Sequence, residues 1–188
     1  MLSPVPNILA DLEVRPSEIG GVLLATLPRF ADDRGDLCVI DRPEWTKTRP
    51  VQWNLVRNEQ FVMRGIHAHR NHTDWLVIVA GRLFVGLYDL RHASSTSGNS
   101  EVILLEPTTG SVNAVFIPEG VAHGFYSPEA GRHLYATNET WSETDEFGCR
   151  WDDPALGIEW PMPSTSEPLL SARDATAGTL EVLLSIGW

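Results

Sequence analysis

Residues 75–90 read Trp75-Leu-Val-Ile-Val-Ala80-Gly81-Arg82-Leu83-Phe-Val-Gly-Leu-Tyr-Asp89-Leu90. Two apolar runs, rich in Val, Ile, Leu and aromatics, flank a Gly-Arg break. Each run is short and lacks a 3.6-residue period, so both read as β-strands. The break predicts a hairpin joining them. Similar runs recur on either side: Gly21–Leu27, Val51–Arg57, Val102–Leu105, Ser111–Ile117, His133–Thr137 and Leu180–Ile186. Gly, Pro, Asp, Asn and Ser bound most of them, as turns require. Helices should be few and short. Many short strands at regular spacing predict a closed sandwich or barrel, and the jelly roll is one such solution.

The chain has 188 residues, enough for one domain with a real core. Pro154–Pro168 carries four prolines, but Trp151 and Trp160 flank or occupy it. Large aromatics pack, so this stretch is expected to be an ordered surface loop, not a linker. Ser94–Ser100 reads as a hairpin loop. The net charge of −11 argues against nucleic acid, which needs clustered Lys and Arg. A few arginines converging in a cleft would still bind a small anion. Cys38 and Cys149 form no C-x-x-C pair and are expected to be reduced thiols. No apolar run approaches the ~20 residues that span a bilayer. Met1–Ala10 has no basic residue ahead of its apolar stretch, unlike a signal peptide. A cytoplasmic protein is expected.

The chemistry concentrates in Arg64-Gly-Ile-His67-Ala-His69-Arg-Asn-His72-Thr-Asp74-Trp75 and in Ile117-Pro-Glu-Gly120-Val-Ala-His123-Gly-Phe125. On a strand, His67 and His69 share a face. His72, His92 and His133 read as packing or loop residues. Two mechanisms suit the His67/His69 pair. One is metal binding by His67, His69, Asp74 and His123, in the H-x-H…acid…P-x-G…H spacing of many metal cupins; imidazole and carboxylate suit Fe, Mn, Ni or Zn. The other is metal-free proton transfer, with a histidine base, a supporting carboxylate and a tyrosine acid. Tyr88, Tyr126 and Tyr135 are the three tyrosines.

From about Phe30 to Asp174 the sequence resembles the dTDP-4-dehydrorhamnose 3,5-epimerases. The pieces that carry the resemblance are Phe30-Ala-Asp-Asp-Arg34-Gly35, Gln52-Trp-Asn54, Arg64-Gly-Ile-His67, Asp89-Leu-Arg91 with Ser94, Ile117–Phe125, Leu134-Tyr135, Arg150–Pro161 and Leu170-Ser-Ala-Arg-Asp174. Their order and spacing together are specific. The resemblance implies an all-β cupin, a jelly-roll double-stranded β-helix barrel with few short helices. It implies a homodimer that exchanges N-terminal strands. It also implies metal-free chemistry, with no cofactor, on a nucleotide-linked 4-keto-6-deoxyhexose. His67 falls on the general base, Asp174 on its paired carboxylate and Tyr135 on the general acid. Arg64 and His123 fall on the sugar and diphosphate site, and Gln52 and Asn54 on further substrate contacts. Arg34 falls on an arginine that binds the nucleotide, reaching into the partner's site.

Four departures stand out. Trp75 stands where the family carries a lysine near the keto oxygen. His69 replaces a glutamine; if protonated, it would supply the enolate donor that the lysine provides elsewhere. After Arg34-Gly35, the residues Asp36, Leu37 and Val39 replace aromatic residues and a glutamate, and Trp141 stands where a second tyrosine is common. His67-Ala-His69 is also similar to the nucleotide-sugar 3,4-ketoisomerases, which the C-terminal half does not follow. The expected activity is therefore epimerisation at C3 with or without C5. The alternatives are a ketoisomerase, a metal-dependent cupin enzyme such as a dioxygenase, and a non-catalytic sugar-nucleotide-binding cupin.

Overall fold

A computed structural model of the protein describes residues 12–42, 45 and 49–188, so the Met1–Ala10 stretch lies outside the described residues. The strands are β1 (Glu13–Pro16), β2 (Leu23–Asp32), β3 (Gly35–Cys38), β4 (Gln52–Asn58), β5 (Val62–Ala68), β6 (Asp74–Ala80), β7 (Leu83–Asp89), β8 (Ser100–Leu105), β9 (Ser111–Ile117), β10 (Val121–Ser127), β11 (Gly131–Thr137) and β12 (Phe147–Gly148). The larger sheet runs β1-β2-β9-β6-β11-β4, with β3 added to β2. The smaller runs β12-β5-β10-β7-β8. Strands β4 to β11 make the eight-stranded jelly roll, two antiparallel sheets facing each other. The expected fold class is the observed one.

The hairpin expected at Gly81-Arg82 is not there. β6 pairs with β9 and β11, whereas β7 pairs with β10 and β8. Gly81-Arg82 is a corner between sheets. A tight two-residue turn reads alike in sequence whether its strands pair or part. Leu76 and Ile78 from β6 meet Leu83, Val85 and Leu87 from β7 in the core between the sheets. The outer face of β6 is covered too: Trp75 and Val77 pack with Leu27, Val112, Ile40 and Trp45. Burial on both faces explains why these strands are continuously apolar and do not alternate.

The Ser94–Ser100 stretch does close a hairpin, between β7 and β8. Buried Asp89 ties that loop together. It accepts hydrogen bonds from Arg91 Nε (2.7 Å), Arg91 Nη2 (2.8 Å), Ser94 Oγ (2.6 Å) and Thr96 Oγ1 (2.6 Å). Leu180–Ile186, expected as a strand, is instead a helix over Leu180–Ser185. Thr179 caps it by accepting from the Val182 N–H, and Leu180 and Leu183 face inward while Val182 is exposed. Six residues are too few for their periodicity to separate strand from helix.

This C-terminal region covers the outer face of the smaller sheet. Cys149, Leu156, Leu180 and Leu183 bury Ile66, Ala68, Tyr88, Leu90 and Ala122. Within Pro154–Pro168, the six-membered ring of Trp160 packs against Gly86, where an added Cβ would come within 2.5 Å of the indole. The Trp160 Nε1–H donates to the Trp151 carbonyl at 3.0 Å. Both cysteines are free thiols. Among the described residues no helix is long and apolar enough to cross a membrane.

Candidate active site

One end of the barrel is filled with apolar side chains; the other holds a cavity of about 340 Å³. Of the residues singled out in the sequence, Gln52, Arg64, His67, His69, Asp74, His123, Tyr135, Trp141 and Asp174 line it.

His67 projects from β5. Asp174 reaches it from a point 107 residues later. The chain is brought back by the Leu169 backbone, which bonds to Phe61 O and Met63 N–H beside β5. A short helix, Ala172–Ala175, then starts at Ser171. The Ser171 hydroxyl accepts from the Asp174 N–H and donates to Asp174 Oδ2 at 2.8 Å. This fixes the carboxylate, and His67 Nε2 lies 2.7 Å from Asp174 Oδ1. Burial alone would raise the Asp174 carboxyl. The hydrogen bond and charge of His67, the Ser171 hydroxyl and the Arg173 guanidinium outweigh it, holding the carboxyl below its ordinary value. Asp174 therefore stays ionised and fixes the Nε2–H tautomer, leaving Nδ1 as the basic nitrogen.

Tyr135 faces this pair from β11, in the opposite sheet. Its hydroxyl makes no hydrogen bond among the described residues and opens on the cavity with the rest of the lining. Burial, together with Asp74 and Glu146, raises its pKa against the opposing effect of Arg64 and Arg173. The phenol keeps its proton and is available as an acid. Arg64, also on β5, is braced by Asn58 Oδ1 at 2.9 Å and presents a cation to the cavity. Gln52 Oε1 accepts from the Trp141 N–H at 2.9 Å, which holds Trp141 at the cavity mouth.

Three expectations need correction. The Trp75 side chain points away from the cavity, and its indole donates to Ile40 O at 2.7 Å. Side chains alternate along β6, so the neighbouring Asp74 enters the cavity instead. His69 lies just past the end of β5. Burial, then the charge of His123, pushes its pKa down to about 4. It is neutral near pH 7, and its Nδ1 faces the Asp145 carbonyl at 3.0 Å. It is not the cationic donor expected. Asn54 does not line the cavity; its Oδ1 accepts from Gln52 Nε2 at 3.1 Å and buttresses that residue. Arg34 is no correction: expected to serve a partner's site, it sits exposed on the β2–β3 hairpin, paired with Asp32, outside the cavity of its own chain. The proposed metal spacing is also divided: His67 pairs with Asp174, while His69, Asp74 and His123 converge elsewhere.

Sequence reading missed several lining residues. His72 and His133, taken as packing residues, are buried but face the cavity, as do Glu146, Ser171 and Arg173. Arg173 and Ser171 sat unremarked inside the Leu170–Asp174 stretch. Glu146 had no signal, because only the fold brings its loop beside β5.

The sequence model of the dTDP-4-dehydrorhamnose 3,5-epimerase family matches residues 16–181. The chain belongs to this family. It is 34% identical over 176 residues to a dTDP-4-dehydrorhamnose 3-epimerase of Streptomyces niveus, covering 88% of this chain and 83% of that protein. It is 36% identical over 138 residues to the 3,5-epimerase of Salmonella typhimurium, covering 71% and 73%. Among solved structures it resembles NovW, a 4-keto-6-deoxy sugar epimerase from the novobiocin cluster of Streptomyces spheroides. The TM-score is 0.82 at 32% identity, covering 94% of this chain and 91% of that one. It also resembles ChmJ, a 3′-monoepimerase of Streptomyces bikiniensis solved with dTDP-quinovose (TM-score 0.83, 26% identity, 92% and 90% covered). Both 3-epimerases and 3,5-epimerases are thus among the family relatives of this chain.

Proposed function

We propose that this epimerase acts on a dTDP-linked 4-keto-6-deoxyhexose, inverting C3, with C5 the second centre the same chemistry reaches. One observation carries the mechanism: a His67–Asp174 pair and an unbonded Tyr135 hydroxyl face one cavity from opposite sheets. The C4 ketone acidifies the hydrogens on C3 and C5. His67 takes one of these protons, and the adjacent Asp174 carboxylate stabilises the imidazolium that results. The electron pair passes to the keto oxygen as an enolate. Tyr135 gives a proton to the opposite face of the same carbon, which inverts it. His67 then releases its proton and Tyr135 regains one from solvent. Arg64 and His123 hold the sugar and diphosphate, while Gln52 and Trp141 border the mouth.

Arg34 supports a homodimer in this reading. It stands on a projecting hairpin, so it contacts nucleotide only in another subunit's cavity. A nucleotide-sugar substrate also fits a cytoplasmic enzyme.

The test is incubation with dTDP-4-keto-6-deoxyglucose in heavy water, followed by NMR. Deuterium at C3 alone identifies a 3-epimerase, and at C3 and C5 a 3,5-epimerase. No exchange by folded protein rejects this substrate.

A further inference from the structure

Beside the His67–Asp174 pair, the cavity holds a second cluster that takes no part in the proton transfer and of which only His123 is assigned to substrate. His69, Asp74 and His123 are all buried, and their ligand-type atoms lie within 4.8 Å of one another. His72 and Glu146 flank them.

The hydrogen bonds around this cluster orient it. His69 Nδ1 faces the Asp145 carbonyl at 3.0 Å, with Glu146 Oε1 at 3.4 Å. His123 Nδ1 faces the Val121 carbonyl at 3.1 Å. His72 Nδ1 faces Asp145 Oδ2 at 3.1 Å. Oxygens of these kinds can only accept, so each Nδ1 carries the ring proton. Each Nε2 is left with a bare lone pair. His123 Nε2 then lies 3.6 Å, and His72 Nε2 3.9 Å, from Asp74 Oδ2. Among the described residues, no hydrogen bond reaches the Asp74 carboxylate. The Nε2 lone pairs and the Asp74 carboxylate thus converge on one point of the cavity, the position a cation between them would take.

A backbone carbonyl or carboxylate behind the distal ring nitrogen is the arrangement that orients histidines toward a metal. The 3.6 Å separation is close to the ~3.4 Å edge of a tetrahedron with bonds of about 2.1 Å.

We propose that His69 Nε2, His123 Nε2 and the Asp74 carboxylate bind a divalent first-row transition ion, with its open coordination positions facing the sugar cavity. Two imidazoles and one carboxylate suit ions of the iron-to-zinc series and disfavour Mg²⁺ and Ca²⁺, which take oxygen ligands. The chain departs here from the metal-free chemistry its sequence resemblance implies. Two side chains make the difference: His69, and the Asp74 that enters where Trp75 does not.

The test reads binding, not turnover, so its outcome is separate from that of the epimerase reading. Tag-free protein is stripped with a chelator and titrated with Co²⁺, following the visible ligand-field bands and the metal retained after dialysis. One equivalent per chain, with bands of a four- or five-coordinate site and a rise in Tm, is the expected result. His69→Gln and Asp74→Asn, each confirmed as folded by circular dichroism, should lose the bands and the Tm rise. A folded wild-type protein that retains no Co²⁺ overturns the proposal, and so do bands that persist unchanged in both variants. Mg²⁺ raising the Tm as much as Co²⁺ would also overturn it.

Discussion

The Arg173 guanidinium rests against the His67 imidazole, its Nη2 2.6 Å from Nε2 and 3.1 Å from Nδ1. Nη2 stands nearer Nε2 than Nδ1, off the axis of the Nδ1 lone pair, so the guanidinium caps the base by covering the imidazole ring, not by a hydrogen bond to Nδ1. Arg173 is also held by Glu146, Nη1 to Oε2 at 2.5 Å, but its side chain is half exposed, so releasing it costs little. Arg173→Ala should uncap the base. Diethyl pyrocarbonate should then modify His67 faster than in the wild type, as mapped by peptide mass spectrometry. Equal rates would mean that the cap is absent in solution.

Base and acid sit on different sheets, so they can be separated experimentally. His67→Asn removes the step that breaks the C–H bond, and both exchange and epimerisation should fall by about 10²–10⁴-fold. Tyr135→Phe leaves that step intact. It should still exchange deuterium into the substrate, with protons returned to the face they left, while inverted product falls by a similar factor. A Tyr135→Phe protein with normal inversion would remove this residue from the mechanism.

Asp89 gives a prediction about pH. Burial alone would raise its carboxyl, but the hydrogen bonds from Arg91, Ser94 and Thr96 win and hold it at about 2. The unfolded carboxyl titrates near 3.9. A depressed folded pKa stabilises above the unfolded value, and that stability is lost as pH falls from about 4 to about 2. The contribution is on the order of 2 kcal/mol. Asp89→Asn should lower urea stability at pH 7 by at least about that much, because Arg91 is left without its counter-charge. The gap between variant and wild type should narrow toward pH 2.

Most of the central strand runs and the barrel class were legible in the sequence, and so was the grouping of His67, Asp174 and Tyr135 about one cavity, through the order of several short pieces. What escaped had physical reasons. The Gly81-Arg82 corner and a hairpin turn use the same residues, and the difference lies in which strands they later meet. Asp74 and Trp75 are neighbours, so a one-residue shift in strand register exchanges the cavity and the core. His72 and His133 are buried as packing residues would be, yet they face the cavity. That distinction depends on which sheet stands opposite.

Gly86 has no side chain because Trp160 occupies its outer face. Gly86→Ala would place a methyl group 2.5 Å from the indole and should cost about 1–3 kcal/mol by overpacking. Trp160→Leu should relieve the clash, so the double variant should be more stable than the sum of the single effects predicts. Additive effects in urea denaturation would mean that the two residues do not touch.

The outer face of β4 carries the last prediction. β4 is the edge strand of the larger sheet, with Gln52 and Val56 turned toward the cavity. Its other face shows Trp53 and Leu55, which with the preceding Val51 are 42%, 70% and 57% exposed. An apolar row on an edge strand invites pairing or burial unless it is covered. The proposed homodimer would cover it. Light scattering of the wild type should give twice the chain mass. Trp53→Glu with Leu55→Glu should shift the protein to monomer with its β-structure intact, since both side chains already face solvent. Nucleotide affinity should fall with it, because Arg34 of one subunit would no longer reach the other's cavity. A wild type that is monomeric at micromolar concentration would refute the homodimer. A double variant that remains a dimer would place the interface on another surface.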